Sequence, residues 1–149
     1  MKKLLMVLIS LCLLWGCSSQ ESVVIDLASL GKQMQEEIKF DDELNLMSTD
    51  MIPTIYGIDN AIEAYAYMGS QATAEEIALF KFANDKDAKA GKEALEAHLE
   101  KQKQDYASYI PEEVVRIEKA VLRQEGNYVL LCVSYDEGVN DIIDKNIQK

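Results

Sequence analysis

The stretch Tyr128-Val-Leu-Leu-Cys-Val133 decides the fold. Six consecutive apolar residues predict a strand that is covered on both faces, and such a strand belongs in the interior of a sheet. Residues 120–124 predict a second strand, and Glu125-Gly126 between the two segments predicts the turn of a hairpin. We therefore expect a domain built around a β-sheet with residues 128–133 near its centre.

A second hairpin is predicted upstream. Residues 61–68 and 76–83 both alternate between two faces, and Gly69-Ser-Gln71 interrupts the pattern between them. Thr73 followed by Glu76 is also typical of a helix N-terminus, so a helix over residues 76–83 is the competing interpretation. We prefer the strand because the run is short and its aromatic residues alternate.

Four aromatic side chains in this hairpin form the candidate binding surface. Tyr65 and Tyr67 share one face of the first strand, and Phe80 and Phe82 share one face of the second. We expect the two faces to adjoin. If helices cover them, the rings belong to the core; if they are open, they form a platform for a peptide, a glycan or a partner protein.

Helical patterns surround the two hairpins. The longest runs over residues 85–106, which are rich in Ala, Lys, Glu and Gln. The others are residues 25–38, a short turn at 52–56 that Gly57 ends, a segment beginning at Pro111, and a last helix beginning at Asp136 or Asn140. The order predicts an α+β domain with a mainly antiparallel four-stranded sheet, a long helix between the hairpins, and N- and C-terminal helices.

The N-terminus predicts export and a lipid anchor. Met1-Lys-Lys3 and about twelve apolar residues have the pattern of a signal peptide, which is too short for a membrane span of about 20 residues. Leu14-Trp15-Gly16-Cys17 resembles the lipobox of bacterial lipoproteins, although Trp15 departs from the usual small or aliphatic residue. The resemblance implies a signal peptide over residues 1–16 and a lipid on Cys17. Residues 17–24 are then a linker, and residues 25–149 one domain.

The linker and the charge restrict where the domain works. About six extended residues span on the order of 20 Å, so the domain is expected close to the bilayer, on the extracytoplasmic face of the cell membrane. The whole chain carries a net charge of −11. Loss of Lys2 and Lys3 with the leader makes the mature chain −13. Such a charge opposes binding to nucleic acid and to anionic lipid.

No catalytic or metal-binding motif stands out. His98 is the only histidine, and we expect it to be solvated or packed at an edge of the long helix. Cys132 lies in the apolar strand and is expected to be an inert, buried thiol. The loop at Asp41 lacks the glycine and the final glutamate of a calcium-binding loop. Adjacent acids such as Glu75-Glu76 point in different directions, so adjacency alone does not make a catalytic pair. We therefore predict no catalytic residue, no metal and no cofactor.

Several segments together resemble a known family. They are Asp26-Leu-Ala-Ser-Leu30, Glu75-Glu-Ile-Ala-Leu-Phe-Lys81, the long charged helix and Gly126-Asn-Tyr-Val-Leu-Leu131. In this order they resemble the lipoproteins of Gram-positive anaerobes catalogued as domain of unknown function 4358. The resemblance implies anchoring in the outer leaflet of the cytoplasmic membrane, and it supplies no activity or catalytic residues.

Two functions follow as hypotheses. The first is a non-enzymatic binding or accessory module that holds a protein, a peptide or a cell-wall component near the membrane. The second is a carboxylate-based hydrolase at the cell surface, which requires two carboxyl groups facing one cleft.

Overall fold

The computed structural model describes residues 22–149, so the predicted signal peptide and Cys17 lie outside the described residues. These residues form a five-stranded antiparallel sheet with the order β1-β2-β3-β5-β4. The strands are β1 (Asn45–Leu46), β2 (Glu63–Met68), β3 (Glu76–Lys81), β4 (Val121–Glu125) and β5 (Tyr128–Val133). The helices are α1 (Leu27–Glu37), α2 (Ile52–Tyr56), α3 (Asp85–Ala107), α4 (Glu112–Glu118) and α5 (Val139–Asn146).

The predicted interior strand is confirmed. All six residues of β5 are buried, and β5 pairs with β3 on one side and β4 on the other. The α+β class and both hairpins are also as expected, whereas the four-stranded sheet is wrong. The fifth strand, β1, pairs Asn45 with Met68 and Leu46 with Tyr67. Two exposed residues carry no periodic pattern, so the sequence does not predict a strand here.

Helices cover both faces of the sheet. One core lies between the sheet and helices α1 and α5, and the other lies between the sheet and helices α2, α3 and α4. Asp26 caps α1 by accepting a hydrogen bond from the backbone of Ser29, and Asn84 caps α3 in the same way through Asp87. Gly91 lets α3 approach closely, because a Cβ at this position would overlap the ring of Phe82.

The expected shared aromatic face does not form. Tyr65 pairs with Leu79 and Ala64 pairs with Phe80, so the tyrosines and the phenylalanines lie on opposite faces of the sheet. Phe80 and Phe82 are fully buried, Tyr67 is 6% exposed, and Tyr65 packs partly buried against the opposite core. These four side chains belong to the two cores and offer no common platform. The strand over β3, and not the competing helix, is confirmed.

No helix within residues 22–149 is both long and apolar enough to cross a bilayer.

Candidate functional site

Two acidic residues at the start of β3 are buried in the protein. Glu75 is 2% exposed and Glu76 is 0% exposed. Isolated carboxylates are costly to bury, so each must be matched by donors or by an opposite charge. As expected for neighbours in the sequence, the two side chains point in different directions, and they bind different partners.

Glu76 lies under α3 and joins two helices. Its Oε2 accepts a hydrogen bond of 2.7 Å from the hydroxyl of Tyr56, and its Oε1 lies 2.9 Å from Nε2 of His98. The imidazole also packs on the Tyr56 ring, with 4.7 Å between the ring centroids. The expectation of a solvated or edge-packed His98 is wrong, because its side chain is only 9% exposed and is held by a buried carboxylate.

Glu75 secures the loop between α1 and β1. Its oxygens accept hydrogen bonds from the backbone amides of Asp41 (3.0 Å) and Asp42 (2.9 Å) and from the hydroxyl of Thr73 (3.1 Å). Arg116 Nη1 donates to the same carboxylate. The lone pairs of Glu75 are therefore occupied by four different donor groups, which leaves little capacity for proton transfer.

Arg116 of α4 is the counter-ion for three carboxylates, and we call Arg116, Glu75, Glu113 and Asp41 the Arg116 cluster. Nη2 of Arg116 lies 2.6 Å from Asp41 Oδ2, and Nε of Arg116 lies 3.0 Å from Glu113 Oε2. The second contact lacks hydrogen-bond geometry, so Nε remains buried without an acceptor. Burial alone would lower the pKa of Arg116, but the hydrogen bond with Asp41 and the charges of Glu75 and Glu113 raise it overall.

A cavity of about 320 Å³, which we call the α3 cleft, is lined by Glu75 and by His98, the partner of Glu76. It lies between α2, the β2–β3 loop and the C-terminal half of α3. Its wall is formed by Thr54, Ile55, Met68, Gln71, Thr73, Ala74, Glu75, His98, Lys101, Gln102, Asp105, Tyr106 and Tyr109. Sequence reasoning did not find this site. The signal that could have found it is the acidic pair Glu75-Glu76, which stands directly before the apolar residues 77–80 of β3.

Some polar groups at the cleft are left without partners. Oε1 of Gln102 is buried and has no hydrogen-bond partner. Nε2 of His98 is bound to Glu76, and Nδ1 has no hydrogen-bond partner among residues 22–149. Tyr106 is satisfied, because its hydroxyl donates to the carbonyls of Gln71 and Thr73. Burial raises the pKa of Tyr106, with smaller contributions from Tyr109 and from the charges of Glu113 and Glu76.

The family model for the domain of unknown function DUF4358 matches residues 36–134. This chain belongs to that family. No curated protein and no solved structure matches the chain. The matched range of the DUF4358 domain contains the whole wall of the α3 cleft and the whole Arg116 cluster, and it omits α5 and most of α1.

A second cavity, of about 380 Å³, is also lined by Glu75 and extends beyond the matched range to Tyr135, Asp136 and Glu137. Its polar groups are largely engaged with each other. Asp136 accepts hydrogen bonds from the backbones of Lys39 (3.0 Å) and Gly138 (2.8 Å), and Asp41 is paired with Arg116. Within residues 22–149, no group of three or more side chains is arranged to hold a metal ion.

Cys132 of the DUF4358 domain lies on β5, where it is 1% exposed. Burial, with smaller contributions from nearby acidic side chains, raises the pKa of its thiol well above the ordinary value. The structure therefore agrees with the interpretation of Cys132 as an unreactive core residue.

Proposed function

We propose that the protein is a lipid-anchored binding module on the extracytoplasmic face of the cell membrane, with its ligand in the α3 cleft. The observation that carries this proposal is the cleft itself. Its volume of about 320 Å³ falls within the range of small-ligand pockets, roughly 300–1,000 Å³, and its wall mixes apolar side chains with a few polar ones. The ligand is a small molecule or a short part of a peptide, a protein or a wall component.

The anchor rests on Leu14-Trp15-Gly16-Cys17 and the apolar segment before it. Acylation of Cys17 adds long chains, each buried methylene contributing about 0.8 kcal/mol, and a doubly acylated protein stays on its membrane. The net charge of −13 for the mature chain favours a tether over direct adhesion to an anionic surface.

The position of the cleft suits a tethered binder. Val23, at the end of the linker, and Asp85, the first residue of α3, both lie beside Gly126. A Cβ at Gly126 would lie 3.7 Å from Val23 Cβ and 4.0 Å from Asp85 Oδ1. The linker therefore joins the domain close to the start of α3. With 23 residues, α3 is about 33 Å long, and Tyr106 lies near its other end. A lipid on Cys17 would therefore be attached near the start of α3, at the end of the helix opposite the cleft.

A hydrolase is the second candidate, because His98 lines the cleft and is oriented by Glu76 in the manner of a general base. A mechanism based on two carboxylates has less support. Glu75 and Glu76 are both occupied by donors, and Glu113 Oε2 accepts from the backbone of Ala74 (2.8 Å). A hydrolase here would have to use His98 and water.

Photo-crosslinking in cells tests the binding proposal. A photoreactive amino acid replaces Tyr109, which is 60% exposed at the cleft, and in a control strain replaces Ile62, which is 62% exposed elsewhere. We expect one reproducible adduct at position 109 and none at position 62, measured by intact mass spectrometry of the purified protein. Equal adducts, or none at position 109, would contradict binding in the cleft.

Two further comparisons separate the parts of the proposal. Metabolic labelling with a palmitate analogue should label the natural chain and should not label Cys17→Ala. If the natural chain is not labelled, the proposed lipid anchor is contradicted, whereas the proposal of a ligand in the α3 cleft is unaffected. The crosslinked ligand should have the same mass in the parent protein and in His98→Gln. A heavier ligand that appears only in His98→Gln would favour the hydrolase.

A further inference from the structure

The charge and the unpaired atoms of the α3 cleft indicate a class of ligand. We propose that the cleft takes an organic cation, namely a primary ammonium group carried on a short apolar body. The inference rests on the proposed function, since it names the ligand class of the same site. Three independent features carry it: the buried charge beside the cleft, the acceptor atoms in its wall, and its aromatic and apolar side chains.

The buried charges do not balance. Among residues 22–149, the buried ionisable side chains include three carboxylates, Glu75, Glu76 and Glu113, and one guanidinium, Arg116. The sum stays negative even when the His98 ring, which binds Glu76, carries a positive charge. Because charges interact more strongly in the protein interior than in water, the uncompensated negative charge acts across the adjacent cavity. Glu75 lines the cleft directly, and Glu76 lies behind His98. The field at the cleft therefore favours a positive ligand.

The unpaired polar atoms are hydrogen-bond acceptors. Nε2 of His98 lies 2.9 Å from Oε1 of Glu76, and in the tautomer that donates from Nε2 to this carboxylate, Nδ1 is an acceptor. The buried Oε1 of Gln102 is an acceptor without a partner. A buried acceptor without a partner destabilises the fold, and a small rotation of this amide in the cleft wall would let a ligand donate to it. An ammonium group brings three donors and no acceptor.

The remaining wall suits an apolar body beside a cation. Ile55 and Met68 supply apolar surface, and the rings of Tyr106 and Tyr109 stack with 5.3 Å between their centroids. A cation over the face of such a ring is attracted by the negative charge of its π-electrons. Lys101 also lines the cleft, but Asp105 Oδ2 lies 2.6 Å from its Nζ and offsets its charge.

Three probes of equal length test the ligand class by NMR titration at pH 7. They are hexan-1-amine, which is protonated, hexan-1-ol and hexanoate, each added to the mature chain from residue 17 carrying Cys17→Ser. We expect hexylammonium to shift the signals of His98, Gln102 and Tyr109. It should bind about fivefold or more tightly than the alcohol, equivalent to about 1 kcal/mol, and hexanoate should bind most weakly.

A matched pair of variants tests the role of charge. Asp105→Asn removes one negative charge from the cleft wall, and Glu93→Gln removes one from an exposed position twelve residues earlier on α3. That spacing is about 18 Å along the helix, which exceeds the Debye length of about 8 Å at physiological salt. We expect hexylammonium to bind about threefold more weakly to Asp105→Asn, a difference of about 0.7 kcal/mol, and without change to Glu93→Gln.

The outcomes distinguish the ligand class from the function. Preference for hexanoate, or equal binding of amine and alcohol at the cleft, overturns the cationic ligand and leaves the α3 cleft as a binding site. Equal weakening by Asp105→Asn and Glu93→Gln also overturns it, because the effect would then come from the net charge of the protein. Absence of any shift at the cleft with all three probes overturns both proposals.

Discussion

Glu75 and Glu76 are neighbours in the sequence, yet their carboxylates attach different helices to the same end of β3. Glu75 accepts from Arg116 of α4, and Glu76 lies 2.9 Å from His98 of α3. Because both carboxylates are buried, each partner stabilises the fold. Removal of a partner should therefore lower the free energy of unfolding by a measurable amount.

Replacement of Arg116 is expected to be the most damaging of the charge changes. Arg116→Met leaves Glu75 and Glu113 buried without their counter-ion and should lower the free energy of unfolding by about 3–5 kcal/mol. Urea denaturation measures the change. Arg123→Met is the control, since Arg123 is partly exposed and its pairs with Glu125 and Asp144 should contribute less than about 1 kcal/mol. Equal losses in the two variants would contradict a structural role for the Arg116 cluster.

The hydroxyl of Tyr56 should contribute through its bond to the buried Glu76. Tyr56→Phe removes this donor and should cost about 1.5–3 kcal/mol of unfolding free energy. Tyr135→Phe is the matched control, because that hydroxyl donates to the carbonyl of Glu112 at the surface. We expect the control to differ from the parent by less than about 0.5 kcal/mol. A smaller loss of unfolding free energy for Tyr56→Phe than for Tyr135→Phe would contradict a stabilising hydrogen bond between Tyr56 and Glu76.

The close approach of α3 to the sheet depends on a missing side chain. Gly91→Ala gains about 1 kcal/mol of helix propensity, yet its Cβ would overlap the ring of Phe82 at a cost of about 1–3 kcal/mol, and we expect a net loss of up to about 2 kcal/mol. The double variant Gly91→Ala with Phe82→Leu provides room for the methyl group. It should lose less stability than the sum of the two single variants in thermal or urea unfolding. Strict additivity would show that the two residues do not compete for space.

Burial should protect Cys132 from reagents until the protein unfolds. In a mature chain with Cys17→Ser, we expect the Cys132 thiol to react with a disulfide reagent at pH 8 only at the rate of unfolding, because burial raises its pKa and excludes the reagent. The rate should therefore rise with urea in parallel with unfolding. Fast modification in native buffer would contradict a buried thiol.

Acid should weaken the fold through Asp42. Hydrogen bonds from the side chain and backbone of Ser70 lower the pKa of Asp42 below its ordinary value of 3.8. Its stabilisation is therefore complete above that value and is lost as the pH falls through the lower folded-state pKa. Asp42→Asn should be less stable than the parent at pH 7, and the difference should shrink towards pH 2.5 in urea titrations. A difference that is independent of pH would exclude ionisation as the cause.

Much of the fold followed from the sequence because the patterns were long or strongly apolar. The unbroken run of β5 and the 23-residue α3 are of this kind. The facing of the aromatic residues was missed because a shift of one residue in the β2–β3 register exchanges the two faces. Periodicity within a single strand contains no information about that register.

The site was missed for a different reason. His98 lies in a mostly charged helix, and local sequence does not reveal that Glu76, 22 residues earlier, is buried beneath it. Arg116 was not singled out at all, since its partner Glu75 is 41 residues away. Local patterns predict which residues share a face of one element, whereas buried ion pairs depend on which elements meet.

The pairing of Val24 with Gln148 has a mechanical consequence. Each backbone amide donates to the carbonyl of the other residue at 3.0 Å, and this pair stands where the linker enters the domain. If the proposed lipid on Cys17 pulls on the N-terminal end while a bound ligand resists at the α3 cleft, the force reaches these two hydrogen bonds first. They would break before the sheet does. The cleft would therefore keep its shape under a load that detaches residues 22–24 from the domain.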